Sequence, residues 1–167
     1  FMGGKGANQA VAAARLGARV NLIGAVGDDA FGQQLLAGLR AEGVGVDAVK
    51  MVAASPSGIA NITVAQADNH IIVVSGANFA LTEADILAQA PHFAAADVVL
   101  CQLEIPLPCV QAAARLAKQY GKPFILNPAP ALYLPPDLLA DVSLLTPNAH
   151  ELAISLGVSE HLSAEAL

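Results

Sequence analysis

Positive charge is scarce in this sequence: Lys and Arg total 8 of 167 residues against 14 Asp and Glu, a formal net charge of −6. No run of Lys or Arg occurs anywhere, so neither a nucleic acid nor an anionic membrane surface is an expected partner. Long uninterrupted apolar runs are missing as well, which excludes a bilayer-spanning helix, and there is no signal-peptide pattern. Cysteine is limited to Cys101 and Cys109, too few for a disulfide framework. Cys101 closes the apolar run Val98-Val99-Leu100 and reads as a buried, reduced thiol. A cytoplasmic location is the resulting expectation. The four histidines, His70, His92, His150 and His161, show no metal-ligand spacing.

Two standard phosphate-binding motifs are also absent. The chain opens FMGGKGANQAV, and a Walker-type loop would need Ser or Thr after the lysine, where Gly6 follows Lys5. The dinucleotide fingerprint needs a third small residue where Gln9 stands, and a strand in front of it. A nicotinamide-dependent dehydrogenase is disfavoured on this ground. What remains is a glycine loop with two polar side chains, Lys5 and Asn8, at the start of a helix.

Apolar residues make up 55% of the chain and charged residues 13%, a balance that suits a buried parallel sheet flanked by Ala-rich helices. The length allows one domain with a sizeable core. A helix runs from Gly6 to its stop at Gly17, and Arg19 to Val26 reads as a strand. Asp28 and Asp29 supply the start of a second helix, with Leu35, Leu36 and Leu39 at apolar spacing and Gly43 as its end. The turn Ser55-Pro56-Ser57-Gly58 precedes two β-branched runs, Gly58 to Ala65 and His70 to Ser75, joined by Gln66-Ala67-Asp68-Asn69. That hairpin interrupts the alternation and is a candidate lid.

Alternation then resumes. Thr82 and Asp85 resemble a capping box opening a short helix toward Pro91. Strands are expected over Asp97–Leu103, Pro123–Asn127 and Val142–Thr146, with helices over Leu107–Tyr120 and Asn148–Leu156 closed by Gly121 and Gly157. Such alternation implies a mostly parallel sheet with helices on both faces. Ligands bind at the carboxyl ends of its strands, which singles out Gly27-Asp28-Asp29, Glu104, Asn127-Pro128-Ala129-Pro130, and Pro147-Asn148 with Glu151. Taken alone, Asn148 and Glu151 are an ordinary helix entry, Asn as cap and Glu favoured by the dipole. Asp28 and Asp29 read as helix-start acids. Lys5 is a poor choice for a helix start, since a cation there opposes the dipole.

Gly3-Gly4-Lys5-Gly6-Ala7-Asn8-Gln9-Ala10, followed by Gly17 and Gly27, resembles the first signature of the ribokinase-like carbohydrate kinases in residue type and spacing. Gln102-Leu103-Glu104, Leu126-Asn127-Pro128-Ala129-Pro130-Ala131 and Thr146-Pro147-Asn148-Ala149-His150-Glu151 are similar to the same family. The resemblance implies a three-layer αβα, Rossmann-like α/β fold with a small β lid. It further implies transfer of the ATP γ-phosphate to a sugar primary hydroxyl, D-ribose first, with deoxyribose, a fructose-type sugar or a nucleoside as alternatives. Gly4, Lys5, Gly6, Ala7 and Asn8 would hold the sugar, and Glu104 would accept from a ribose hydroxyl. Asn148 would serve the nucleotide phosphates and Glu151 the Mg2+, through water, with K+ as activator. Asn127 would support the sugar site. The hairpin 58–75 would cover the sugar and form a homodimer.

Phe1 stands directly on the glycine loop, and Ser163 reads as a helix start near the end of the sequence. The expectation is a central part of one ribokinase-like domain. The resemblance implies sugar contacts upstream of Phe1, and a Gly-Ala-Gly-Asp segment with the catalytic Asp beyond Leu167. The 167 residues by themselves are thus expected to be inactive. A non-catalytic sugar-binding or dimerisation module is the alternative.

Overall fold

The computed structural model describes residues 2–65 and 68–157 of the chain, which divides into two compact units, Phe1–Thr82 and Glu83–Leu167. In the first unit, α1 (Lys5–Arg15) is followed by β1 (Gly24–Gly27), α2 (Ala30–Ala41) and β2 (Val49–Val52). β1 and β2 pair in parallel, Gly24 opposite Val49 through Gly27 opposite Val52. Ala7, Ala10, Val11 and Ala14 line one face of α1, at the spacing that places side chains on one stripe. They meet Leu35, Leu36 and Leu39 of α2 together with Val26, Val44 and Val46, and this cluster is the core of the unit. Gly17 and Gly43, at φ 93° and 78°, stop the two helices as the sequence implies. Arg15 grips Glu42 with two hydrogen bonds, of 2.8 and 2.5 Å, on an exposed surface where such a pair contributes little.

The strand expected over Arg19–Val26 is shorter. Only a bridge from Asn21 to Gly45 precedes Gly24, because the partner chain turns away at Asp47 and Ala48 before β2 begins. β2 itself has no sequence signal, since its burial does not alternate: Lys50 and Met51 are both exposed.

The hairpin is present. β3 (Ile59–Ala65) and β4 (Asp68–Val74) run antiparallel, Ile59 opposite Val74 and Ala65 opposite Asp68. Asp68 and Asn69, expected in the turn, belong to the strand; Gln66 and Ala67 lie outside the described residues, as does the helix start expected at Ser163. A 3-10 turn, Gly76–Ala80, leads the chain away and packs against β1.

The second unit opens with two short helices, α3 (Glu83–Leu87) and α4 (Ala90–Ala95), where one toward Pro91 was expected. Pro91 sits in the first turn of α4, the place in a helix where its missing N–H costs nothing. β5 (Val99–Cys101), α5 (Leu107–Gln119), β6 (Phe124–Leu126), α6 (Pro136–Leu139), β7 (Leu144–Leu145) and α7 (Ala149–Leu156) follow. The three strands form one parallel sheet in the order β5-β6-β7, each shorter than its sequence expectation. α5 buries Cys109, Val110, Ala112, Ala113, Ala114, Leu116 and Ala117, and the fully buried Phe124 and Leu126 lie on β6. Small side chains around most of α5 let the helix pack closely on both sides. The alternation of helix and parallel strand in both units bears out the α/β reading.

Gly32 in α2 is fixed by contact: a Cβ there would lie 2.2 Å from the Gly27 carbonyl oxygen and 2.9 Å from Ser57 Oγ. Alanine is the better helix former by about 1 kcal/mol, yet this clash is with backbone. Gly32→Ala is therefore expected to lower stability by about 2 kcal/mol. Equal or higher stability in urea unfolding of the variant would contradict that packing.

Candidate active site

The sugar-facing residues inferred from sequence fall in the first unit at the start of α1. Gly4 is the N-cap, with φ 96° and ψ 140° and no side-chain cap hydrogen bond. That φ is one in which side-chain-bearing residues are strained, so the loop needs glycine at this position. The Gly4 carbonyl accepts from Asn8 N at 2.9 Å, the first bond of the helix. The leading N–H groups of any helix lack an acceptor within it. Here no acid stands in the first turn, and Lys5 and Asn8 are the polar side chains. Lys5, Gly6 and Ala7 are half-buried and Asn8 is exposed. Ala7 also packs into the core, so the loop's inner side is tied to the fold while its polar groups remain at the surface.

In the second unit, Glu104 follows β5 and is half-buried. The ends of the strands around it are stitched by hydrogen bonds. Asn127 N donates to Cys101 O at 2.9 Å, Leu103 N to Ala129 O at 3.0 Å, and Asn127 Nδ2 to Thr146 O at 3.0 Å. Asn127 thus joins the carboxyl ends of β5, β6 and β7, a supporting role for the segment that bears Glu104.

Asn148 and Glu151 are brought together in a reciprocal capping box at the start of α7. Asn148 Oδ1 accepts from Glu151 N at 2.8 Å, and Glu151 Oε2 accepts from Asn148 N at 2.9 Å. The box uses the amide oxygen of Asn148 and one carboxylate oxygen of Glu151. The Asn148 amide NH2 and Glu151 Oε1 are not part of it. A single carboxylate oxygen at a helix start fits a magnesium ion that keeps most of its waters. Among the described residues no group of three or more His, Cys, Asp or Glu could enclose a metal.

Cys101 and Cys109 are both buried and outside any disulfide, and burial pushes the Cys101 thiol up to about 12. Burial, then the nearby Asp85 and Glu83, raises Cys109 as well. No helix among the described residues is long and apolar enough to cross a membrane.

A contact that sequence reasoning missed, between Asp29 and Ser57, lies in the first unit. Asp29 caps α2 through Gly32 N, at 2.8 Å to Oδ1, and the same carboxylate takes Ser57 Oγ at 2.7 Å and Ser57 N at 2.8 Å. Ser57 Oγ in turn accepts from Gly27 N at 3.0 Å. These donors, the Ser57 hydroxyl first, hold the Asp29 carboxyl below the usual carboxylate range. The sequence shows a helix-start acid and a Ser-Pro-Ser-Gly turn far along the chain, and nothing in it joins the two.

The profile described as pfkB family carbohydrate kinase matches residues 1–167. Ribokinase of Bacillus subtilis is 45% identical over 164 residues, which cover 96% of this chain and 56% of that protein. A deoxyribokinase of Salmonella typhi is 37% identical over 170 residues, covering 98% of this chain and 56% of that protein. The structure of Arabidopsis thaliana ribokinase complexed with ribose and ATP is similar with a TM-score of 0.85 at 34% identity, over 98% of this chain and 54% of that one. The chain spans about half the length of the curated relatives it matches. A match along the whole sequence settles the family: this chain belongs to the pfkB carbohydrate kinases.

Proposed function

We infer that the full-length protein is an ATP-dependent kinase that phosphorylates the primary hydroxyl of D-ribose. The observation that carries this reading is the entrance to α1, where Gly4 opens the helix without a side-chain cap and Lys5 and Asn8 flank it. Sugar hydroxyls suit such an entrance: their oxygens accept from backbone N–H and from Lys5, and their protons go to the Asn8 amide oxygen. Gly4, Gly6 and Ala7 carry no bulk to keep a small polyol away. Glu104 accepts from a ribose hydroxyl. Asn148 serves the nucleotide phosphates with the amide group that the capping box leaves over, and Glu151 holds a magnesium-bound water. Magnesium, when bound, offsets the phosphate charge; Asn148 and Glu151 orient what it carries. Potassium activation is part of the reading, with no residue of this chain assigned to it. Its place is the cytoplasm, beside its ATP supply.

Deoxyribose is the second acceptor to weigh, favoured by the deoxyribokinase relative. The discriminating observation is the effect of the 2-hydroxyl on kcat/KM. A site that hydrogen-bonds a hydroxyl rejects the analogue lacking it strongly, whereas an apolar pocket does not.

A homodimer through the lid hairpin completes the reading. The register puts Ala60 opposite Val73, and Ile62 two residues on along the same face. Ile62 and Val73 are 57% and 59% exposed, a density of bare apolar surface that a second copy would cover by pairing like with like.

The assay is ADP release by the full-length protein with ribose, deoxyribose, fructose and adenosine in turn. Ribose is expected to give the highest kcat/KM, and no signal with any of them would overturn the reading. Lys5→Ala and Asn8→Ala are each expected to raise the sugar KM about ten-fold, the loss of roughly one strong hydrogen bond. Glu151→Gln keeps an acceptor for the capping box. It should raise the magnesium concentration for half-maximal rate about five-fold while leaving the ribose KM within a factor of two; an unchanged magnesium requirement would remove Glu151 from the metal. Ile62→Asp is expected to yield monomers by sedimentation, and an intact dimer in that variant would place the interface elsewhere.

A further inference from the structure

We propose that Asp29 and Ser57 are positioning residues for the sugar kinase reaction, because their bidentate contact fastens the root of the β3–β4 hairpin to the carboxyl end of β1. The proposal rests on the function inferred above, in which that hairpin covers the sugar.

Capping α2 requires one oxygen of Asp29, and Gly32 N supplies its donor. That oxygen, Oδ1, also accepts from the Ser57 hydroxyl, and Oδ2 accepts from the Ser57 N–H, 28 residues along the chain. Ser57 is 6% exposed and stands two residues before β3 begins. Its hydroxyl completes the bridge by accepting from Gly27 N, the last residue of β1. The departing side of the hairpin is fixed to the same place. Ala77 N donates to Pro56 O at 2.8 Å, and a Cβ on Gly76 would lie 2.3 Å from that oxygen. Both legs therefore leave from one knot built on Gly27, Asp29, Pro56 and Ser57.

Beyond this root the hairpin has little else to orient it. Among the described residues its two strands pack extensively against each other and at most slightly against any other helix or strand. Each has 7 residues, which at strand rise is roughly 24 Å. A rotation of about 10° at the root would carry the tip about 4 Å, far more than the roughly 1 Å of misplacement that can cost a hundred-fold in rate. The angle of the root is the quantity that decides where a covering hairpin closes. The hydrogen bonds of Asp29 and Ser57 set that angle without touching substrate.

The test uses the full-length protein with Asp29→Asn and Ser57→Ala. Asparagine keeps an oxygen for Gly32 N, so α2 stays capped, while its NH2 faces the Ser57 N–H and loses that bond. This variant keeps the question open to measurement if Ser57→Ala does not fold. Two readings are taken: steady-state kinetics with ribose and ATP, and the distance distribution between nitroxides on Thr63→Cys in β3 and Ala37→Cys in α2. Expected are a kcat lowered at least ten-fold, an ATP KM within two-fold of wild type, and a broadened distance distribution. A wild-type kcat, or a lowered kcat with an unchanged distribution, overturns the proposal. If the wild-type protein phosphorylates no sugar, the inferred function falls by itself. The distance reading alone then decides whether these residues fix the root: a broadened distribution upholds it and an unchanged one ends it.

Discussion

One carboxylate, that of Asp29, ties the start of α2 to the turn entering the hairpin, 28 residues along the chain, and Ser57 carries the link on to the end of β1. Its acceptor capacity is what makes this possible. A carboxylate offers about four lone-pair sites, and here it takes one hydroxyl and two backbone N–H groups. Ser57 extends the reach by one more bond, because a hydroxyl accepts as well as donates. The neighbouring glycines are a condition of the arrangement, since backbone atoms at Gly27 and Gly32 approach Ser57 closer than a side chain would allow. The first unit's parallel pair and its hairpin thus share a polar hub beside an otherwise apolar core.

Helix ends were the most legible part of the sequence, and the reason is chemical locality. Gly17, Gly43, Gly121 and Gly157 all adopt positive φ at the ends of α1, α2, α5 and α7, as their placement after apolar-periodic segments implies. Strand ends were less legible because a strand extends only as far as a partner does. Val99–Cys101 and Phe124–Leu126 are cut from longer expected strands at the points where pairing stops. β2 and α6 escaped because Val49–Val52 does not alternate and Pro136–Leu139 is a single turn. The glycine loop could be read at once, its residues being consecutive. The Asp29–Ser57 contact could not, since sequence shows a helix cap and a turn and gives no reason to join them.

Asn148 and Glu151 illustrate why a motif can carry two meanings without conflict. Their spacing is that of a capping box, and a capping box is what the structure contains. Yet each side chain enters that box with half its polar atoms. Structural use orients the remainder: with Asn148 Oδ1 and Glu151 Oε2 fixed on backbone, neither side chain can swing freely. A group held in this way loses less entropy on meeting a ligand than one in solution would. The helix cap is then the scaffold for a polar pair rather than a rival explanation of it.

The buried thiols have a practical consequence. Thiolate is the reactive form of cysteine, and Cys101, pushed up to about 12 in the interior, is almost wholly protonated at neutral pH. Cys109, 1% exposed, is shielded by packing, and the neighbouring Asp85 and Glu83 further disfavour its ionisation. Thiol-directed reagents should pass over both while the fold is intact and find them once it opens. The pair is a built-in reporter: the rate at which Cys101 and Cys109 become alkylated counts the openings of the second unit.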